Sequence, residues 1–303
     1  MSTTHTIGLD LGGTFLKAGV VSEDGTILER IRYAVDPSSA EKVFKTVGEA
    51  VGACRDIDRC LVAVGLGIPG IMDHGTHVIM NSPNLHCLDG RALDDLMKDV
   101  CPLPYALDND ANCGAYGEFV AGAGRGTTGS FVLLTIGTGV GGGIILDGAL
   151  WHGARGFAGE PGHVVIERDG RPCNCGGRGC LETRVSAGAV VAAYESRGGR
   201  AASAEEVARR AHGGEGAAVE ALADVGRDLG LGLAAIINLL NPEVIAVGGG
   251  VMGAGELLLG PARVEAGVRA FRASFLSTRI VEATLQNDAG MVGAGLMARG
   301  VIQ

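Results

Sequence analysis

The sequence predicts an α/β protein of two domains, and three observations carry that prediction. Its 303 residues exceed the size at which a single hydrophobic core stops growing. Strand-like and helix-like segments alternate along the chain, the pattern of α/β layers with sites at strand C-terminal ends. Sliding the chain by 125 residues lays DLGGTFLKAGVVSEDG (10–25) over TIGTGVGGGIILDGAL (135–150), with Gly12 on Gly137 and Val20-Val21 on Ile145-Leu146, which reads as an internal duplication.

The elements follow in order. Ile7 to Val21 reads as two strands, Glu23-Asp24-Gly25 as a turn and Thr26 to Tyr33 as a third strand. Helical spacing runs over Ala40 to Cys54 and Ala92 to Val100, and between them Arg59 to Ile68 is a buried-strand run ending in Gly67-Ile68-Pro69-Gly70. Tyr105 to Asp108 is a short strand, ending at Asn109-Asp110 with a helix from about Ala111. Ser130 to Leu150 repeats the opening plan. Ser186 to Glu195, Ala204 to Ala211 and Ala217 to Asn238 read as helices; Pro242 stops the pattern, and Val244 to Val247 is a strand feeding Gly248-Gly249-Gly250.

Composition narrows the function classes. A net charge of -9 argues against non-specific binding to nucleic acid or anionic membrane. Mean hydropathy is +0.27, yet no apolar run reaches the roughly 18 residues that a membrane span needs. The start MSTTHTIGLDLGG lacks a secretory signal, so a cytoplasmic location is expected. The 52 glycines are clustered rather than periodic, against a collagen-like or disordered chain. Eight cysteines are too few for a disulfide scaffold.

Five motifs could carry chemistry. Asp10-Leu11-Gly12-Gly13-Thr14 is a strand and glycine turn whose N–H groups can approach phosphate, with Asp10 able to hold a metal-bound water and Lys17 a nearby cation; a plain hairpin uses the same residues. Gly137-Thr138-Gly139 is the equivalent loop of the second copy, with close backbone packing as its alternative. Neither is a Walker loop or a dinucleotide fingerprint. Gly249-Gly250 could let an adenine ring or ribose lie against bare backbone, though taken alone a turn is the better reading. Asn109-Asp110 closes a strand, where Asp110 could act as a general base or the pair could simply cap a helix.

The fifth motif lies in GEPGHVVIERDGRPCNCGGRGCLE (159–182), which gathers His163, Cys173, Cys175 and Cys180. A closed Cys3His set is what a tetrahedral structural zinc takes, and it leaves no open position to activate water. The other histidines, His74, His77, His86, His152 and His212, read as surface or satisfied polar residues, and Cys113 as a small buried side chain.

Over essentially its full length the chain resembles the ROK family of bacterial sugar kinases and repressors, through DLGGTFLKAGV (10–20), GIPG (67–70), SPNL (82–85), NDAN (109–112), TIGTGVGGGII (135–145), GEPGH (159–163), CNCGGRGCLE (173–182) and NPEVIAVGGGV (241–251). The resemblance implies the actin-like ATPase fold, a duplicated ribonuclease H-like architecture with an interdomain cleft. Residues 1–112 with about 289–303 would form a small N-terminal α/β domain, and 113–288 a large domain with the zinc loop.

It further implies ATP-dependent phosphorylation of a hexose 6-hydroxyl, with glucose expected first and N-acetylglucosamine or N-acetylmannosamine as the alternative. Asp110 would be the base, and Gly70, Asn84, Asn109, Glu160, His163 and Glu182 would line the sugar. Asp10, Gly12, Gly13, Thr14, Lys17, Gly137, Thr138, Gly139, Gly249 and Gly250 would take ATP with Mg2+. His163, Cys173, Cys175 and Cys180 would hold a structural Zn2+. The partners would be the sugar, ATP and a second or fourth copy of the chain, with no nucleic acid or membrane.

Two positions depart from the commoner pattern: Phe15 stands where many members have Lys, and Ala187 interrupts a frequent Ser-Gly. The family's repressors carry a helix-turn-helix domain ahead of the first strand; only six residues precede Ile7, so the kinase reading is expected.

Overall fold

In a computed structural model, residues 4–302 are described. They form two compact units, one comprising the chain up to Gly126, Gly143–Gly159 and the chain from Asn287 on, the other Thr127–Gly142 and Glu160–Gln286. The first unit holds β1 (His5–Leu11), β2 (Phe15–Val21), β3 (Ile27–Ala34), α1 (Ala40–Ile57), β4 (Leu61–Ile68), the hairpin β5 (Ile71–Asp73) and β6 (Val78–Asn81), α2 (Leu93–Val100), β7 (Tyr105–Asn109) and α3 (Asp110–Ala121). The expected boundary at residue 112 falls inside α3, which stays whole because its hydrogen-bonded turns cannot be divided between two units.

The sheet order is β3-β2-β1-β4-β7. β1 runs antiparallel to β2 and parallel to β4, and β4 runs parallel to β7, so the C-terminal ends of β1, β4 and β7 lie on one edge. The apolar stretch Ile7–Leu9 of β1 and the apolar run of β4 need cover on both faces. One side is filled by Val43, Phe44, Val47 and Val51 of α1. The C-terminal helix Ala289–Ala298 covers the sheet by backbone contact: a Cβ on Gly65 would sit 1.8 Å from the Ala294 carbonyl oxygen, and one on Gly8 1.9 Å from that of Met291. On its other flank, a Cβ on Gly293 would fall 1.6 Å from the Cys113 oxygen of α3.

Gly65→Ala is therefore expected to cost at least about 1–3 kcal/mol through overpacking against backbone that cannot rotate away. Gly52→Ala, in α1 with nothing within 4 Å of the new methyl, should instead stabilise by about 0.5–1 kcal/mol. Urea unfolding of the two variants checks the opposite signs.

The second unit begins with β8 (Phe131–Ile136) and the start of β9 (Val140–Leu146), and the chain returns to the first unit through Gly143 and β10 (Ala149–Leu150). It continues with α4 (Glu182–Val185), α5 (Ala187–Glu195), α6 (Ala204–His212), α7 (Gly216–Leu240), β11 (Val244–Gly248), α8 (Glu256–Arg269), α9 (Arg272–Ser277) and β12 (Arg279–Glu282). The strand order β10-β9-β8-β11-β12 repeats that of the first sheet. Leu11 and Ile136 end the first strand of each copy, Phe15 and Val140 begin the second, and Val21 and Leu146 end it, each pair 125 residues apart. The long helix α7 stops at Asn241, whose left-handed φ of 44° ends the helix ahead of Pro242.

Candidate active site and metal cluster

The C-terminal ends of β1, β4 and β7 put the expected residues of the first unit into one mesh. Asn109 caps α3, its Oδ1 accepting from the N–H groups of Ala111 at 2.8 Å and Asn112 at 3.2 Å, while its Nδ2 donates to the Gly70 carbonyl at 2.9 Å. Gly70 has φ +117°, and a Cβ there would lie 2.4 Å from the Asn81 oxygen, so only glycine lets this loop lie against the β6 end. Ser82 Oγ closes the same loop by donating to the Pro69 oxygen at 2.7 Å. Asn84 in turn backs the first glycine turn: a Cβ on Gly13 would meet its carbonyl oxygen at 3.0 Å.

Asp110 is the first residue of α3 and half-buried, its Oδ1 accepting from the Ala111 N–H at 2.9 Å. The capping reading of Asn109-Asp110 is met by Asn109. Lys17 sits opposite Asp10 in the β1–β2 register and its ammonium is shared between Asp10 Oδ2 at 2.9 Å and the Asn287 carbonyl at 2.8 Å. Its charge is spent within the unit, holding the Asp10 carboxylate at the strand end.

In the second unit, β8 and β11 are parallel and their C-terminal ends bring together Gly137-Thr138-Gly139 and Gly249-Gly250. Gly249 has φ +90°, with a Cβ position 2.4 Å from the Ile136 oxygen, so it is a structural turn. Gly137 and Gly250 face open space, where bare backbone is available to a ligand. Glu182, the first residue of α4, supports the glycine loop directly: its Oε2 accepts the Val140 N–H at 2.9 Å. Its other oxygen is the acceptor for Cys173 Sγ at 3.6 Å. This double attachment is invisible in the sequence, because 42 residues separate Val140 from Glu182.

The ligand atoms of His163, Cys173, Cys175 and Cys180 lie within 4.8 Å of one another. Cys175 and Cys180 sulfurs are 3.7 Å apart, and Cys173 Sγ is 3.7 Å from His163 Nδ1. A tetrahedral ion with bonds of about 2.3 Å to sulfur sets edges of about 3.8 Å, so the donor set fits zinc. Burial pushes the Cys180 thiol up to about 12, and burial also raises Cys173, whereas the Gly177 N–H holds Cys175 down. A divalent ion here would displace protons as it binds. His163 turns its other nitrogen, Nε2, toward Glu160 Oε2 at 3.9 Å. Partial burial pushes the Glu160 carboxyl above its usual range; His163 opposes this and Glu182 adds to it.

The ROK family profile matches residues 6–301. The chain belongs to the ROK family. Its fold is accordingly the duplicated, actin-like ATPase architecture of the ROK sugar kinases, in agreement with the repeated strand order. The chain is 36% identical to the glucokinase of Thermotoga maritima over 95% of each protein. It superposes with a TM-score of 0.80 on the crystal structure of a ROK family glucokinase from Streptomyces griseus in complex with glucose and AMPPNP, at 33% identity, covering 98% of this chain and 99% of that one. The xylose repressor of Bacillus spizizenii is 27% identical over 95% of this chain and 75% of the repressor.

Three functional candidates were missed by sequence reasoning. Asp108, His74 and His152 of the first unit converge, with His152 Nε2 2.7 Å from Asp108 Oδ2. The one signal available was the position of Asp108, immediately before Asn109-Asp110.

The two attachments of Glu182 make a prediction. Glu182→Ala should raise KM for the nucleotide as well as the sugar, by about tenfold or more for a lost charge-assisted bond. Glu182→Gln keeps an acceptor for Val140 and should move the sugar KM alone. Steady-state kinetics with each substrate varied in turn separates the two.

Proposed function

We propose that this ROK chain transfers the γ-phosphoryl group of ATP to the 6-hydroxyl of glucose. The observation that supports the reading is the hydrogen-bonded mesh at the strand ends of the first unit, in which Asn109, just ahead of Asp110, reaches the Gly70 loop and Asn84 backs the first glycine turn. The glucokinase relatives, similar over nearly their whole length, support the substrate class.

In this reading Asp110 accepts the 6-hydroxyl proton as the oxygen bonds to the γ-phosphorus and the bond to the β,γ-bridging oxygen breaks, releasing ADP. Asn109, Gly70 and Asn84 of the first unit, and Glu160, His163 and Glu182 of the second, orient sugar hydroxyls. Gly12-Gly13-Thr14 and Gly137-Thr138-Gly139 offer backbone N–H groups to phosphates, with Gly249-Gly250 toward the adenosine. Asp10, fixed by Lys17, would hold Mg2+ through water, and the ion supplies charge neutralisation on the phosphates. His163, Cys173, Cys175 and Cys180 would hold a structural Zn2+. The eight cysteines form no disulfide, which suits a reducing, cytoplasmic compartment.

The chain is read as a homo-oligomer. Leu239, Val264, Val268, Phe271 and Leu276, on the end of α7 and on α8–α9, are between 69% and 82% exposed, an apolar face suited to a second copy. Among the described residues no helix is long and apolar enough to cross a membrane.

Coupled ADP release with glucose, N-acetylglucosamine, N-acetylmannosamine, mannose, fructose and allose tests the proposal. Glucose should give the highest kcat/KM. Preference for an N-acetylhexosamine would overturn the sugar assignment, and turnover of none would overturn the activity.

A further inference from the structure

The mechanism leaves unused a buried carboxylate with two imidazoles aimed at it. Asp108, at the end of β7, is only 2% exposed. Its Oδ1 is occupied, accepting from the Asn109 N–H at 2.7 Å and from Asn112 Nδ2 at 2.8 Å. Its Oδ2 faces His152 Nε2 at 2.7 Å and His74 Nε2 at 3.9 Å. The imidazole centroids of His74 and His152 are 4.0 Å apart, and one ligand atom from each of the three residues lies within 4.8 Å of the others.

The surrounding backbone fixes this arrangement. The His74 N–H donates to the Arg155 carbonyl at 3.1 Å, and the backbone at Gly156 lies so close that a Cβ there would be 2.8 Å from His74 Cβ. The neighbouring charges are already committed. Arg155 Nε donates to Asp73 at 3.0 Å, and His77 Nδ1 pairs with Asp94 at 3.0 Å. Neither side chain is therefore directed at Asp108. All of these residues belong to the first unit.

We infer that His74 Nε2, His152 Nε2 and Asp108 Oδ2 form a second divalent-metal site, taking a late first-row transition ion such as Zn2+, Co2+ or Ni2+. Two imidazoles and one carboxylate suit such ions, and three protein ligands leave room for water, in contrast to the closed Cys3His set. Burial keeps the His74 ring below its usual range, with the His152 ring adding to this. His152 is raised, chiefly by its bond to Asp108. An ion would replace the shared proton there and tie the β5 end and the 152–158 loop to the strand that leads into Asp110.

Co2+ titration of the full-length protein, with its Cys3His cluster loaded with zinc, at pH 8 provides the test. One further equivalent should bind, giving weak visible d–d bands without thiolate-to-cobalt charge transfer in the near ultraviolet. His74→Ala and His152→Gln should each weaken that binding by at least about tenfold. His74 is partly exposed, so its variant should keep the wild-type unfolding midpoint and remain interpretable if His152→Gln does not fold. Absence of a further equivalent in the wild type would show a plain His–Asp hydrogen bond and overturn the inference. Unchanged affinity in His74→Ala, or uptake only with thiolate charge transfer, would do the same.

Discussion

Asp110→Asn is expected to lower kcat by about 100- to 10,000-fold, the range for loss of a positioned general base. Asparagine is nearly isosteric and keeps the oxygen that accepts the Ala111 N–H, so the first turn of α3 should persist. The helix cap is supplied by the separate Asn109 side chain. The unfolding midpoint, the metal content and the sugar KM should therefore stay close to wild type, and the loss should lie in kcat. Single-turnover measurements with saturating substrates check this. Wild-type kcat in the variant would remove Asp110 from the proton transfer, and a fallen unfolding midpoint would assign it a folding role instead.

The second large effect concerns the metal cluster. Cys175→Ala, or removal of the ion by a chelator, is expected to raise the sugar KM by about 10- to 100-fold with much less change in the ATP KM. Cys175 is at the exposed tip of the loop, so its loss opens the cluster without creating a core cavity. The cluster holds the ring of His163, whose free nitrogen points at Glu160, and it touches Glu182 through Cys173. Glu182 grips the glycine loop through its other oxygen, to the Val140 N–H, and that bond does not involve the metal. Equal loss of both affinities would show that the cluster supports the whole second unit. Metal content measured beside the two KM values makes the comparison quantitative.

Much of this was legible in the sequence because it is local. The hairpin pattern over Ile7 to Val21 and its copy 125 residues later over Ser130 to Leu150 showed where β1–β2 and β8–β9 lie, since alternation and glycine turns are set by neighbours in sequence. The Cys-x-Cys-x4-Cys spacing with His163 described the metal cluster for the same reason. What stayed hidden depends on contacts across the chain. The four-residue β12 and the hairpin β5–β6 are too short to show a period, and α8 carries Pro261 within it, which reads as a helix stop. Gly8, Gly65 and Gly293 look like strand or helix weaknesses until the backbone of the C-terminal helix is set against them. His152 reads only as a surface or satisfied polar residue because its partner Asp108 lies 44 residues away.

The segment containing the cysteines also changed its meaning. Its residues suggest a metal site adjoining a sugar, and the geometry adds a mechanical link from that site through Glu182 to the glycine loop. The cation expected at Lys17 is likewise internal, committed to Asp10 and the Asn287 carbonyl. Phosphate charge would then be met by backbone N–H groups, and by the Mg2+ proposed at Asp10, rather than by a free lysine.

The central claim is transfer of a phosphoryl group from ATP to the 6-oxygen of glucose. Phosphorus and carbon NMR of a completed reaction with the wild-type chain tests it most directly. The account predicts one glucose 6-phosphate formed for each ADP released. ADP with inorganic phosphate and unmodified glucose, or a phosphate ester on a different hydroxyl, would contradict it.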